Sequence, residues 1–276
     1  MAKLQAGAID AAVDVPYNQI ESLGRVPHLK TVTSAQMGQI SIELSQGFAP
    51  FRDQNVVQAM NYAIDRDAIV KAVFFGHASP ALSPVLRGNY FWTGAYGYSF
   101  DVKRAQALMK TSHYPKGFSF TVNTLAGDTI GNGIGVVMQD ELKQIGINLK
   151  INPLDATTQY AVQQNRKFQA SYLYLTADNL DPNSNMLICC VADGGAHAGY
   201  TDWKNAQADA LFRQTQTTTD PVKRGKLYDR WQKLIMERSP YIWLIDPTNR
   251  FAYRDDVHDF SIQPTAHWPL WVVWKG

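Results

Sequence analysis

Two carboxylates that follow a strand-like run are the leading candidates in this sequence for contact with a ligand or for catalysis. In the stretch SYLYLTADNLDPNSN, residues 171–185, Asp178 and Asp181 come after alternating aromatic and aliphatic residues, and Pro182 follows them. Ligands of open α/β sheets bind at the carboxyl ends of strands, so the position suits a site. An Asp before Pro also commonly forms a turn with its own backbone, and we assign Asp181 to that role. Asp178 has no comparable local explanation, so ligand contact stays open for it.

A second candidate is the glycine-rich stretch GNGIG, residues 131–135, between a predicted strand and a predicted helix. A dinucleotide-binding fingerprint needs a glycine where Val136 stands, and a tighter turn than the loop from Val122 allows. We therefore interpret the stretch as a flexible loop. The sequence has no nucleophile elbow, no P-loop and no HExxH pair, and its six histidines are far apart. We expect no cofactor, no metal and no catalytic residue.

The composition excludes several classes of protein. Hydrophobic residues make up 45% and charged residues 18% of the 276 residues, which is typical of a folded chain. The formal net charge is +2 and no cluster of Lys and Arg stands out, so we expect no nucleic-acid partner. No apolar run approaches the roughly 18 residues of a membrane-spanning helix. Cys189 and Cys190 are adjacent, and a disulfide between neighbours is strained, so we expect both to be unbridged.

The elements that position these residues follow from hydrophobic periodicity. Alternation predicts strands at GFSFTVN, INLKINPLD and ASYLYLTA, with helices between and after them. That order is typical of a parallel sheet with crossover helices, so we predict an α/β fold with a mostly parallel sheet. Asp53, Asp101 and Asp220 are candidate helix caps. Further short strands are predicted at PYIWLID, RFAY, FSIQ and LWVVW.

The pieces, taken in order, resemble the peptide-binding branch of the periplasmic solute-binding proteins of ABC transporters, the dipeptide and oligopeptide receptors. The matching stretches cover nearly all of the chain: AGAIDAAVDVP, PFRDQNVVQAMNYAIDRDAIVKAVFFGHASPA, FDVKRAQALMKTSHYPKGFSF, QDELKQIGINLKI, ADNLDP and DPVKRGKLYDRWQKLIMERSPYIWLI. The resemblance implies a periplasmic-binding-protein-like fold of two lobes.

The same resemblance implies that the chain is the C-terminal portion of a longer protein. Family members begin with a secretory signal and most of a first lobe, whereas this chain begins MAKLQAGAID. We expect residues 1–49 to be a late segment of lobe I, 50–250 to be lobe II, and 251–276 to return to lobe I. The expected location is the periplasm.

The resemblance also assigns ligand contacts. In the family, a motif W-x-x-D followed by an acid and Pro lies at the cleft wall of lobe II, and its first acid receives the peptide's α-ammonium group. By position that acid is Asp178, and Leu175 stands at the Trp position. Dipeptide receptors hold the peptide carboxylate with an Arg where this sequence has Leu125, so a strict dipeptide specificity is not expected. Tyr174 and Thr176 complete the expected ligand-binding set.

The resemblance therefore predicts a non-catalytic, monomeric substrate-binding component of an ABC importer, which binds a peptide or peptide-like solute between two lobes. Its partner would be a membrane permease that accepts the closed, loaded form. Dipeptides, longer peptides, haem and metal chelates all remain open as ligands. The alternative is an α/β hydrolase-like enzyme that uses Asp178 and Asp181.

Overall fold

The structure is a computed structural model that describes residues 1–192 and 194–276. The α-helices of these residues are α1 (Ala2–Gln5), α2 (Ile20–Leu23), α3 (Gln54–Ala63), α4 (Arg66–Val73), α5 (Val102–Thr111), α6 (Thr129–Lys143), α7 (Ala156–Gln164), α8 (Asn183–Cys190), α9 (Ala196–Thr201), α10 (Ala206–Thr217) and α11 (Pro221–Arg238). The β-strands are β1 (Ala11–Val13), β2 (Leu29–Ala35), β3 (Gly38–Leu44), β4 (Ser79–Pro80), β5 (Phe118–Leu125), β6 (Ile147–Leu154), β7 (Ala170–Thr176), β8 (Tyr241–Asp246), β9 (Thr248–Arg254), β10 (Val257–His258) and β11 (Trp274–Lys275).

A six-stranded sheet with the order β4-β8-β3-β7-β5-β6 is the centre of the fold. Strand β5 pairs in parallel with β6 and β7, whereas β3 pairs antiparallel with β7 and β8, and β4 with β8. The predicted α/β class is confirmed, but the sheet is mixed rather than mostly parallel. The reason is that β3 and β4, which come from outside the strand–helix–strand run, lie in the direction opposite to β5, β6, β7 and β8.

Helices cover both faces of this sheet. One buried cluster includes Phe120 of β5, Met138 of α6 and Ile42 of β3. The cluster on the other face includes Leu173 of β7 and Trp231 of α11, and α8 and α10 also contribute to it. Because β7 alternates between the two clusters, successive side chains of this strand face opposite layers.

Strand β3 lies in the middle of the sheet, and all seven of its residues are buried. The larger sheet therefore includes residues 38–44, which the sequence analysis grouped with residues 1–49. A smaller sheet with the order β1-β9-β2 holds the segments before β3 and after β8, and the chain passes between the two sheets at Pro247. The assignment of segments to lobes stays a prediction.

The glycine-rich stretch 131–135 is helical, so its interpretation as a flexible loop was wrong. Helix α6 contains the whole stretch, and Asp128 caps the helix by accepting a hydrogen bond from the backbone amide of Ile130 at 2.9 Å. A Cβ at Gly135 would come within 2.9 Å of the Ile151 side chain on β6. The small residue therefore lets the helix lie close to the sheet.

Other local predictions had mixed outcomes. The caps at Asp53, Asp101 and Asp220 are confirmed, since each carboxylate accepts a hydrogen bond from a backbone amide of its helix. Helices α8 and α9 were not predicted, and the FSIQ stretch forms no strand. Both cysteines are unbridged and buried, as expected. No helix in the described ranges is long and apolar enough to cross a membrane.

A buried acid on α6 gives the fold a testable pH dependence. Glu141 is 8% exposed, and its Oε2 accepts a hydrogen bond from the backbone amide of Asp65 at 3.1 Å. Burial raises the pKa of Glu141 from 4.5 to about 7, although that hydrogen bond and the nearby Arg66 oppose the shift. An acid with a raised pKa in the folded state stabilises the fold fully below its unfolded pKa, and this stability is lost as the pH rises towards 7.

We therefore expect Glu141→Gln to flatten the fall in unfolding free energy between pH 4.5 and 7, and to leave the variant more stable than the parent at pH 8 by roughly 2 kcal/mol. Urea denaturation across this pH range measures the effect. Glu237→Gln, at an exposed position on α11, is the control and should follow the parent. A parent and Glu141→Gln with parallel pH profiles would contradict the burial of this carboxyl group.

Candidate functional site

Asp178 lies just beyond the carboxyl end of β7 and is exposed. Its backbone is held on both sides: the amide of Ala177 donates to the Met37 carbonyl at 3.0 Å, and the Asn179 carbonyl accepts from the Asn89 side-chain amide at 3.1 Å. Across the part of the chain that the structure describes, the Asp178 carboxylate has no hydrogen-bond or ion-pair partner. The backbone on both sides of Asp178 is thus anchored, and its carboxylate is available to a ligand.

Asp181 has a different environment. Its carboxylate pairs with the Arg224 guanidinium at 2.7 Å and accepts the backbone amide of Asn183 at 3.0 Å, as expected for a turn residue. Partial burial raises the pKa of Asp181, but the hydrogen bonds from Arg224 and Asn183 outweigh burial, so the pKa lies below its ordinary value. Asp181 is therefore a structural residue that does not form a catalytic pair with Asp178, and the hydrolase alternative is not supported.

The edge of β7 next to β5 is only partly paired. Strand β5 pairs with β7 at Ala170 and Ser171, while β3 pairs with β7 along all seven residues. The two parallel strands diverge beyond this point, and the Gln159 side chain donates to the Tyr172 carbonyl at 3.3 Å. Crevices at the carboxyl ends of parallel strands are where α/β sheets bind ligands.

A cavity of about 270 Å³ lies in this crevice, and we call it the β5–β7 pocket. Its walls come from the ends of β5 and β7, from the start of α6, and from segments of the smaller sheet. The lining residues are Asp14, Tyr17, Gln36, Ile40, Phe74, Leu125, Asp128, Ile130, Tyr172, Tyr174, Pro247 and Arg250.

The structure brings two of the five expected ligand residues together in the pocket, namely Leu125 and Tyr174. Tyr174 is 43% exposed, and Gly38 leaves room for its ring, since a Cβ there would come within 3.0 Å of the Tyr174 hydroxyl. Thr176 is exposed two residues further along the same face of β7. Leu175 lies on the opposite face, buried in the cluster with α11, so its side chain does not reach this pocket.

Several pocket residues were missed by the sequence analysis. Asp14, Tyr17 and Arg250 meet because β1 pairs antiparallel with β9. Arg250 lies over the Tyr17 ring at 4.0 Å, and its Nε donates to the Val15 carbonyl at 2.8 Å. Nothing in the local sequence marks these three residues. Asp128 could have been found, because it is an Asp directly before a helical segment.

The described ranges contain no group of three or more His, Cys, Asp or Glu residues that could hold a metal ion. The charged groups of the pocket are two carboxylates, Asp14 and Asp128, and the guanidinium of Arg250. This arrangement can bind polar or charged groups of a ligand, and it offers no activated nucleophile.

Comparison with known proteins supports a binding role for this fold. The sequence model of one protein family, the bacterial extracellular solute-binding proteins, family 5 middle, matches residues 1–196 of this chain. The glutathione-binding proteins GsiB of Salmonella typhi and of Escherichia coli strain K12 are 27% and 26% identical over 270 residues, or 95% of this chain and 53% of each relative. The chain therefore spans about half the length of the curated relatives it matches.

Solved structures show the same fold. The substrate-binding protein CtaP of an ABC transporter from Listeria monocytogenes matches with a TM-score of 0.91 at 20% identity, covering 99% of this chain and 57% of that one. The periplasmic binding protein DppA from Helicobacter pylori, in complex with the peptide STSA, matches with a TM-score of 0.86 at 22% identity, covering 94% and 51%.

The different environments of the two acids predict different costs of neutralising them. Asp181→Asn should lower the unfolding free energy by about 1 kcal/mol at pH 7, because it removes a partly exposed ion pair. Asp178→Asn should leave it unchanged, since that carboxylate has no partner in the described ranges. The Asp181 effect should shrink as the pH falls from the ordinary pKa of 3.8 through the lower pKa of Asp181 in the folded state, because the carboxylate then becomes protonated. Chemical denaturation of both variants measures this, and a larger loss for Asp178→Asn would contradict the assignment.

Proposed function

The chain belongs to the bacterial extracellular solute-binding proteins of family 5, and we propose that it forms one wall of a cleft that binds a peptide or peptide-like solute without chemical change. The observation that carries this proposal is the exposed Asp178 carboxylate, which has no partner among the described residues and lies at the carboxyl end of β7 beside a partly open strand edge. The non-catalytic role is part of the proposal, and it agrees with relatives that are named as binding proteins.

Asp178 is the proposed anchor for the α-ammonium group of the ligand. A charged hydrogen bond between ammonium and carboxylate is stronger than one between neutral groups. The hydrogen bonds at Ala177 and Asn179 fix the anchor in advance, so little order has to be gained on binding.

The open edge of β7 is the proposed contact for the ligand backbone. Beyond Ser171 this strand has β3 as its only strand partner in the described ranges. The Tyr172 carbonyl accepts from Gln159, so the backbone groups available to a ligand would be those between Leu173 and Thr176. An extended peptide can add to such an edge through main-chain hydrogen bonds, which are independent of its side chains. The family resemblance included Leu175 in the ligand set, and in this proposal it can contribute only through its backbone.

The proposed setting is ABC import. The chain would act as a monomer in the periplasm and present its loaded form to a membrane permease. Residues 38–247, with strand β3, would form one lobe, and residues 1–37 and 248–276 would belong to the other. Neighbouring structures contain peptides in some cases and Fe(III)-EDTA in another, so the fold does not name the ligand. Leu125 in place of an arginine argues against a strict dipeptide specificity.

A titration with the tetrapeptide Ser-Thr-Ser-Ala tests this proposal. Because Asp178 is exposed, we expect a dissociation constant in the millimolar range, or about −4 kcal/mol, for this chain by itself. Exposed ion pairs contribute up to about 1 kcal/mol, so Asp178→Asn should weaken binding up to about fivefold. N-acetylation of the peptide should weaken binding to the parent by the same factor. The acetylated peptide should bind the Asp178→Asn variant no more weakly than either single change allows, because both changes remove the same interaction.

Amide chemical shifts of the labelled protein give the affinities, and Asp181→Asn serves as the matched control that should bind like the parent. Losses that add in the combined experiment would mean that the ammonium binds elsewhere. Binding that is indifferent to both changes would reject Asp178 as the anchor.

A further inference from the structure

One wall of the β5–β7 pocket is the buried side chain of Tyr17. Tyr17 is 5% exposed, and its hydroxyl has no hydrogen-bond partner in the ranges that the structure describes. A buried polar group without a partner costs free energy, so a ligand group that hydrogen-bonds there would be favoured. Tyr172 and Tyr174 line the same pocket.

The pocket also has an excess of negative charge. Its three charged side chains, Asp14, Asp128 and Arg250, leave one net negative charge. Arg250 is already engaged, because it donates to the backbone carbonyls of Val15 at 2.8 Å and Thr248 at 3.0 Å, and it stacks on Tyr17. A ligand anion would therefore meet an arginine with few free donors and two nearby carboxylates.

Asp14 is the carboxylate that a ligand can reach. Its side chain is 83% exposed, and its distance of 3.5 Å to Arg250 Nη2 indicates a weak ion pair. Its backbone φ of 52° lies in the left-handed region, which places it on a turn directly after β1. Asp128 is less available, because one of its oxygens caps α6.

Apart from Gln36, the rest of the pocket is largely apolar. Ile40, Phe74, Leu125 and Ile130 line it together with the three tyrosines. Such a surface suits the methylene groups of a long side chain, whose charged end then lies near the rim.

We propose that the β5–β7 pocket binds a cationic group of the ligand, of the kind carried by a lysine or arginine side chain, with Asp14 and the Tyr17 hydroxyl as its polar contacts. This inference rests on the proposed function, because the pocket opens beside the edge of β7 that is assigned to the ligand backbone. It adds a preference for basic ligands to a site whose anchor, Asp178, recognises only the α-ammonium group.

The test uses tetra-alanine peptides in which lysine, norleucine or glutamate replaces the second, third or fourth residue in turn. At one of these positions, the lysine peptide should bind the parent chain about fivefold more tightly than the norleucine peptide. The glutamate peptide should bind most weakly. Asp14→Asn should remove the preference for lysine and leave norleucine binding unchanged. Asp10→Asn is the matched control, because Asp10 lies on the same segment as Asp14 but does not line the pocket. The Asp10 carboxylate pairs instead with Lys275.

Tyr17→Phe provides an independent variant. It should weaken the lysine peptide without lowering the midpoint of thermal unfolding, because the lost hydroxyl has no partner in the described ranges. Equal binding of the lysine and norleucine peptides, or tighter binding of the glutamate peptide, would overturn this inference. The proposed function would still stand in that case if peptide binding depended on Asp178. Failure of every peptide to bind would overturn both.

Discussion

The antiparallel pairing of β3 with β7 over seven residues is the constraint on which the rest of the structure depends. It places β7 between β3 and β5, and thereby fixes where the strand ends. Because side chains alternate along a strand, a shift of one residue would exchange Tyr174 in the crevice with Leu175 in the core. The burial of all of β3 between two neighbouring strands makes such a shift costly.

A buried polar network supports this end of the sheet. Asp246, the last residue of β8, accepts hydrogen bonds from the Gln39 side chain and from Arg87 Nε, each at 3.1 Å. Burial raises the pKa of Asp246 to about 6, although both partners oppose this shift. Arg87 belongs to the same loop as Asn89, which binds the Asn179 carbonyl. The network therefore ties β3 and β8 to the loop that positions Asp178.

Local patterns predicted most of the fold. Alternating residues identified β5, β6 and β7, and acidic caps identified the starts of α3, α5 and α11, because both signals depend on short-range geometry. The centre of the sheet was not predicted, since GQISIEL resembles a half-buried strand and its polar residues Gln39, Ser41 and Glu43 are nevertheless buried. For the site, the turn signal identified the structural role of Asp181, whereas the ligand contact that the family motif assigns to Asp178 stays a prediction. The pocket residues Asp14, Tyr17 and Arg250 depend on long-range pairing, which a local pattern does not contain.

The central claim is that the carboxyl end of β7 is the surface that meets the ligand. Hydrogen exchange of the backbone amides, compared with and without a saturating tetrapeptide, tests it most directly. We expect added protection for amides between residues 172 and 178 and at the β5–α6 connection. Little change is expected in the groove between α10 and α11, which Leu211, Arg230 and Lys233 line on the outside of the fold's second buried cluster. Protection confined to that helical groove, or to the smaller sheet, would contradict it.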